Sequence, residues 1–299
     1  MSDWLRAMEG TPEGQLWAYA LALAAAVLHA VFGALQKGRH DPWLSRAAID
    51  ASYGLIAAPF ALFVVPWPQP HMWPIFAGVF FIHVGYKLLQ AMAYSRGAYT
   101  VVYPVVRGTA PLFAVLGAGV VFGEHFNAAQ WLGVAVLVCG IYGLALYNLR
   151  TVTASRETLI AALGFAVATG AFVALYTTYD AYGIRAAEDP FTFLAWFFLI
   201  DGMFFPLFMW RRLSRLERAE VAGLMRRGMV GALVAYASFG GIMLATRLGS
   251  VGQAAVLRET STVFSALIGW LMLGERSGPR RVFLMSMIAL GAAIVQLAA

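Results

Sequence analysis

Arg107 and Arg258 are the first residues of this sequence that could do chemistry. Each lies about nine residues into an apolar run, which at 1.5 Å per residue puts it near the middle of that run. A guanidinium is permanently charged and presents a planar fork. Two of them facing one cavity would grip a carboxylate, phosphate or phosphonate bidentately. The competing reading is a structural ion pair with Asp50, Asp201 or Glu259. A second group comprises His83, Lys87 and Gln90, spaced i, i+4 and i, i+3 and so sharing one helix face, with Tyr86 beside them. Lys87 reads either as a cavity cation or as a side chain snorkelling to the interface. His83 reads either as a proton relay or as a satisfied interior histidine, and His29 is equally ambiguous. Asp50, Asp201 and Glu259 could neutralise these cations or carry a coupling proton. Burial would raise their pKa values and a nearby arginine would lower them. Tyr103 and Tyr86 are candidate cavity walls, with Tyr99, Tyr176, Tyr179, Trp196, Tyr236 and Trp270 as further aromatics that interfacial belts also favour.

What positions these residues is an apolar chain. Of 299 residues, 61% are hydrophobic and 12% charged, with a mean hydropathy of +0.73. A soluble domain carries roughly 25% charged residues, so most of this surface must face lipid. The net charge of +6 does not imply nucleic acid, because the Lys and Arg residues cluster in short loops and no recognition motif appears. The single cysteine, Cys139, excludes an intrachain disulfide and argues against a metal cluster. No Ser-His-Asp constellation, H-E-x-x-H or phosphate-cradling glycine loop suggests an enzyme, and no cofactor is expected. Residues 1–15 place Asp3, Glu9 and Glu13 against Arg6, so the apolar run from Leu16 to Leu35 reads as a true span and not as a cleaved signal.

Apolar windows predict ten transmembrane helices, at 16–36, 44–66, 73–95, 98–122, 128–148, 158–180, 191–210, 228–246, 250–273 and 280–298. Pro104 and Pro111 straddle Arg107 and should disturb the fourth. Residues 92–124 and 243–275 align without gaps at an offset of 151. The identities include Arg96/Arg247, Arg107/Arg258, Thr109/Thr260, Gly123/Gly274 and Glu124/Glu275, and the same offset pairs Asp50 with Asp201 and Gly140 with Gly291. Glu124 and Glu275 fall at helix ends, where they would cap turns. Five helices per copy is an odd number, so the second copy must enter the membrane inverted. Loop charge agrees. Lys37, Arg39, Arg46, Arg96, Arg150, Arg156, Arg211, Arg212, Arg215, Arg218, Arg226, Arg227, Arg276, Arg280 and Arg281 fall on one side, against Arg6, Arg185 and Arg247 on the other. The positive-inside rule makes the rich side cytoplasmic and places both termini outside.

The segments "PLFAVLGAGVVFGEHFNAAQWLGVAVLVCGIYGLAL" and "TVFSALIGWLMLGERSGPRRVFLMSMIALGAAIVQL" resemble the ends of tandem EamA-type repeats of the drug/metabolite transporter superfamily, each with a helix ending in Gly-Glu before another apolar helix. The resemblance covers essentially the whole chain. It implies an all-α integral membrane protein with a short tail at 1–15, five-helix repeats at 16–148 and 158–299, and a linker at 149–157. It also implies carriage of amino acids, sugars, sugar phosphates, nucleotide sugars or drugs, often by proton coupling or exchange. Many relatives keep both termini in the cytoplasm, which the loop charges here oppose. The expectation is therefore an inner-membrane permease for a small anionic or zwitterionic solute, with lipid, solute and protons or a counter-solute as partners and no nucleic acid. The alternatives are efflux of cationic or aromatic compounds or flipping of a lipid-linked headgroup. A sensor or intramembrane enzyme is a more distant reading.

Overall fold

The computed structural model describes residues 2–35, 41–96, 99–149, 156–273 and 278–299. Lys37, Arg39, Arg150, Gly274, Glu275 and Arg276 lie outside the described residues. Those described form helices and connecting turns, without a strand. The helices are α1 (Asp3–Met8), α2 (Pro12–Leu35), α3 (Pro42–Phe63), α4 (Met72–Arg96), α5 (Tyr99–Phe122), α6 (Ala128–Leu149), α7 (Arg156–Ala186), α8 (Pro190–Asp201), α9 (Phe204–Phe208), α10 (Trp210–Leu213), α11 (Arg218–Leu248), α12 (Val251–Arg258), α13 (Ser261–Leu273) and α14 (Pro279–Leu297).

The chain starts helices with proline, whose missing N–H costs nothing in the first turn. Asp41 precedes Pro42 and accepts from the backbone N–H groups of Trp43 (2.8 Å) and Leu44 (3.2 Å). Asp189 does the same for α8 ahead of Pro190. At the other end of a helix, Gly123 stops α5 with a φ of +67°, a conformation that L side chains avoid.

Eight stretches are long and apolar enough to cross a membrane: α2, α4, α5, α6, α7, α8 through α9, α11 and α14. Two of the ten spans expected from the sequence are not among them. The second corresponds to α3, whose first half carries Ser45, Arg46, Asp50 and Ser52. The ninth is broken between Arg258 and Ser261 into α12 and α13, of 8 and 13 residues. The prolines of α5 behave differently from expectation. The helix runs on through Pro104 and Pro111, and the break falls at the equivalent place in the other copy, which has no proline.

The packing follows the repeat. An offset of 151 carries α2 onto α7, α4 onto α11 and α6 onto α14. Correspondingly α2 packs on α11, α7 packs on α4, and α6 packs on α14. The α6–α14 seam is tight because it is lined with glycine. A Cβ on Gly291 would stand 2.5 Å from the Gly133 carbonyl oxygen, and one on Gly140 2.9 Å from the Leu284 carbonyl oxygen. The outer surface carries large apolar side chains, with Val120 87% and Phe63 85% exposed, as a lipid-facing belt requires.

Candidate functional site

A cavity of about 170 Å³ lies among α2, α3, α4, α5, α7, α9 and α11. Its walls are aromatic: Trp43, Tyr86, Tyr103, Tyr176, Phe205 and Phe239. Its polar lining is Arg46, Lys87 and Arg107 with Gln90, Ser95 and His29, and no carboxylate lines it among the described residues. The residues come from the ends of α2 and α4 and the starts of α3 and α5. The cavity therefore lies toward the end of the molecule that carries the exposed Arg211, Arg212, Arg215, Arg218, Arg226 and Arg227.

Lys87 is the centre of one polar cluster. Its Nζ is 2.7 Å from Asp50 Oδ2 and 2.7 Å from Asp201 Oδ1, so the repeat-related aspartates clamp one ammonium. It also donates to Tyr53 Oη (3.0 Å) and to the Asp201 carbonyl oxygen (2.9 Å). That carbonyl is free to accept because α8 stops at Asp201. Tyr53 Oη closes the ring by donating to Asp201 Oδ2. Arg46 Nε lies 2.6 Å from Asp50 Oδ1, one turn away on α3. The clamp depends on a close approach of α3 and α8: a Cβ on Gly202 would stand 2.7 Å from the Asp50 carbonyl oxygen and 3.0 Å from Gly54 Cα. On its other side Asp201 faces His83 Nδ1 at 3.5 Å, while His83 Nε2 meets Asp180 Oδ2 at 3.0 Å.

Arg107 is the centre of the second cluster. Its Nε is 2.9 Å from Glu259 Oε2, and its Nη2 donates to Ser261 Oγ (2.7 Å) and to the Arg258 carbonyl oxygen (3.4 Å). The break between α12 and α13 is what offers that carbonyl. Both clusters thus have the same construction: a cation from the first copy reads a carboxylate and a freed carbonyl at a helix break in the second. Discontinuous helices that expose backbone groups at mid-depth are how transporter folds build polar sites.

The sequence-derived candidates distribute unequally. Arg107, Lys87, Gln90, Tyr86, Tyr103 and His29 line the central cavity together. Asp50, Asp201 and Glu259 stand behind its cations, and His83 beside them. Arg258 does not share that cavity. It is buried, donates to Thr177 Oγ1 (3.3 Å), lies over the Tyr176 ring at 5.9 Å, and lines a smaller pocket with Asp180, Thr246 and Phe239. Of the further aromatics, Tyr176 lines both cavities, while Trp196, Tyr236 and Tyr179 belong to the apolar core. The side chains of Tyr99 and Trp270 lie outside those described.

Sequence reasoning missed Arg46, Tyr53 and Asp180. Arg46 had been counted as a loop charge, although its i, i+4 spacing to Asp50 signals a helical pair. Asp180 stands 151 residues after His29, the same offset that relates the two arginines. No group of three or more His, Cys, Asp or Glu among the described residues is arranged to hold a metal ion.

The model of the EamA-like transporter family matches residues 16–146 and again 160–297, one copy per repeat. A solved crystal structure has a similar fold, with a TM-score of 0.75 over 94% of this chain and 99% of its own, at 20% sequence identity. No curated protein matches. Two matched copies covering most of the sequence, on an all-helical chain with eight membrane-crossing candidates, make this protein a multi-pass membrane member of the EamA-like transporter family, within the drug/metabolite transporter superfamily.

Proposed function

We propose that this protein is a secondary carrier for a small anionic or zwitterionic metabolite, built as ten membrane crossings in two inverted five-helix repeats and working by alternating access. In this reading α3 and the broken pair α12–α13 are the two crossings too polar or too interrupted to be recognised by composition. The carrier sits in the inner membrane with the arginine-rich end in the cytoplasm and both termini outside, so the central cavity faces inward.

The observation that carries the solute class is the sign of the cavity wall. Arg46, Lys87 and Arg107 line the cavity, whereas their partners Asp50, Asp201 and Glu259 do not. A solute entering from the arginine-rich end meets guanidinium and ammonium donors first, with Gln90, Tyr86 and Tyr103 as neutral contacts. The volume suits a compact solute, since an engineered cavity of about 150 Å³ accommodates benzene. Aromatic walls close behind these donors also suit an aromatic cation. That second reading requires Asp50, Asp201 or Glu259 to leave their present partners.

Thermal unfolding of the detergent-purified protein with phosphate, methylphosphonate, aspartate, phenylalanine and tetramethylammonium separates the two. A bound solute at 100 times its Kd adds about 2.7 kcal/mol. Protection by an anion or zwitterion that disappears in Arg107→Gln supports the proposal. Protection by tetramethylammonium alone transfers the site to the acidic residues.

A further inference from the structure

The central cavity and the smaller pocket that contains Arg258 share two wall residues, Tyr176 and Phe239, whose ring centroids are 6.5 Å apart. These rings form a wall common to the two spaces. Beside them runs a polar connection. Asp180 lines the smaller pocket, and its two carboxylate oxygens lie 3.2 and 3.0 Å from His83 Nε2. His83 Nδ1 lies 3.5 Å from Asp201 Oδ1, and that oxygen is 2.7 Å from Lys87 Nζ. Lys87 then lines the central cavity. All four side chains are buried.

We propose that Asp180, His83, Asp201 and Lys87 form a proton path past the shared wall, coupling carriage to proton movement. This rests on the reading of the chain as a carrier. The transfer balances as follows. A proton from the smaller pocket binds Asp180 and passes to His83 Nε2, while the proton on Nδ1 passes to Asp201 Oδ1. Lys87 releases a proton to the central cavity and takes up the one on Asp201. Every carboxylate and the ammonium return to their starting states. The imidazole is left in its other tautomer, and it resets when a water molecule carries the ring proton from Nε2 back to Nδ1.

The surroundings of His83 favour passing the proton through over holding an extra charge. On its own helix it faces Lys87 and Tyr86. From α7 it meets Asp180 and Tyr176, and from α8 Asp201. Behind Asp201 stand Asp50, Tyr53 and Arg46 of α3, and behind Asp180 stands Arg258 of α12. Asp50, Asp180 and Asp201 balance Arg46, Lys87 and Arg258, so an imidazolium adds one uncompensated positive charge. The 3.5 Å separation of Nδ1 from Asp201 is the one link longer than a normal hydrogen bond. It joins α4 of the first copy to α8 of the second, so a relative movement of the repeats opens or closes the path.

Purified protein in vesicles loaded with the pH dye pyranine tests this. Phosphate, methylphosphonate, aspartate or phenylalanine is added outside without a pH gradient, and counterflow of the same radiolabelled solute is measured in parallel. The native protein should move protons with at least one of these solutes. His83→Gln and Asp180→Asn should lower that proton flux about a hundredfold, the size of a lost proton-transfer group, while counterflow of the solute persists. That persistence also shows that both variants are folded. Solute movement without protons in the native protein, or proton flux undiminished in both variants, overturns the path and leaves the carrier reading standing. If no solute either moves or binds, the carrier reading falls and the path with it.

Discussion

The two ends of this molecule are built from equivalent sequence and are held differently. At the end away from the arginine-rich loops, Arg247 Nε lies 2.6 Å from Glu9 Oε1 and its Nη1 donates to the carbonyls of Ile184 (2.5 Å) and Ala187 (2.7 Å). Its repeat mate Arg96, at the other end, is exposed. Its hydrogen bond stays within its own helix, to the Met92 carbonyl at 3.3 Å, and it lies over the Phe165 ring. Glu124 shows the same strength at the closed end. It accepts from Ser250 Oγ (2.6 Å) and from the N–H groups of Val251 (2.7 Å) and Gly252 (3.0 Å), so a carboxylate of the first copy caps α12 of the second. Arg185 reinforces the seal through the carbonyls of Thr246 and Gly249. One end is held by the Glu124 cap between the copies and by the bonds of Arg185 and Arg247 within the second, and the cavity lies toward the other. Repeat-related residues with unequal bonding are what a two-state carrier requires of each resting state.

The largest expected effect comes from the hub that both copies share. Lys87→Met takes the ammonium away from Asp201 and leaves Asp50 with Arg46 as its only cation. It should cost about 3–5 kcal/mol of stability by thermal or denaturant unfolding, the range for breaking a buried ion pair. A loss under about 1 kcal/mol would mean that the clamp contributes little net energy. Next comes the direct contrast of the arginines. Arg247→Gln should cost about 2–3 kcal/mol, from charged hydrogen bonds to partly buried partners, and Arg96→Gln within about 0.5. Equal costs would remove the asymmetry between the ends.

A smaller effect belongs to Glu124→Gln, which keeps the shape of the cap and removes its charge. A loss of about 1.4 kcal/mol at the seal shifts the equilibrium tenfold toward the state open at that end. A thiol reagent reaching Thr246→Cys in a Cys139→Ser background reads that shift. The smallest effect concerns the arginine-rich end. Partial burial of Asp41 raises its pKa, but the N–H groups of Leu44 and Trp43 and the guanidinium of Arg212 outweigh this and hold it below the ordinary carboxylate value. A folded pKa below the unfolded one gives stability that is present above the ordinary carboxylate range and fades as pH falls through the folded value. Asp41→Ala should therefore cost about 1 kcal/mol at pH 7, as lost caps do, and progressively less under acid. A cost that grew on acidification would reverse the assigned sign.

Much of this arrangement was legible in the sequence. The two copies announced themselves through Arg107/Arg258 and Glu124/Glu275, because charged residues rarely match by chance inside apolar runs. The face shared by His83, Lys87 and Gln90 followed from helical spacing alone. What the sequence concealed was partnership across elements. Nothing local says that Lys87 takes both repeat-related aspartates, or that Arg258, despite its symmetry with Arg107, faces a different space. The helix breaks after Asp201 and Arg258 were equally hidden. The sequence places prolines in α5, and the chain bends elsewhere, at Gly202 and at Glu259–Thr260, where tertiary partners replace the lost backbone bonds.

Alternating access is the central claim, and paired cysteine accessibility tests it most directly. In a Cys139→Ser background, Ala91→Cys reports the central cavity and Thr246→Cys reports the smaller pocket beyond the Tyr176–Phe239 septum. Adding a solute that stabilises the protein, with or without Glu124→Gln, should change the two labelling rates in opposite directions. Rates that rise and fall together, or labelling of Thr246→Cys that no solute or seal variant alters, would contradict it.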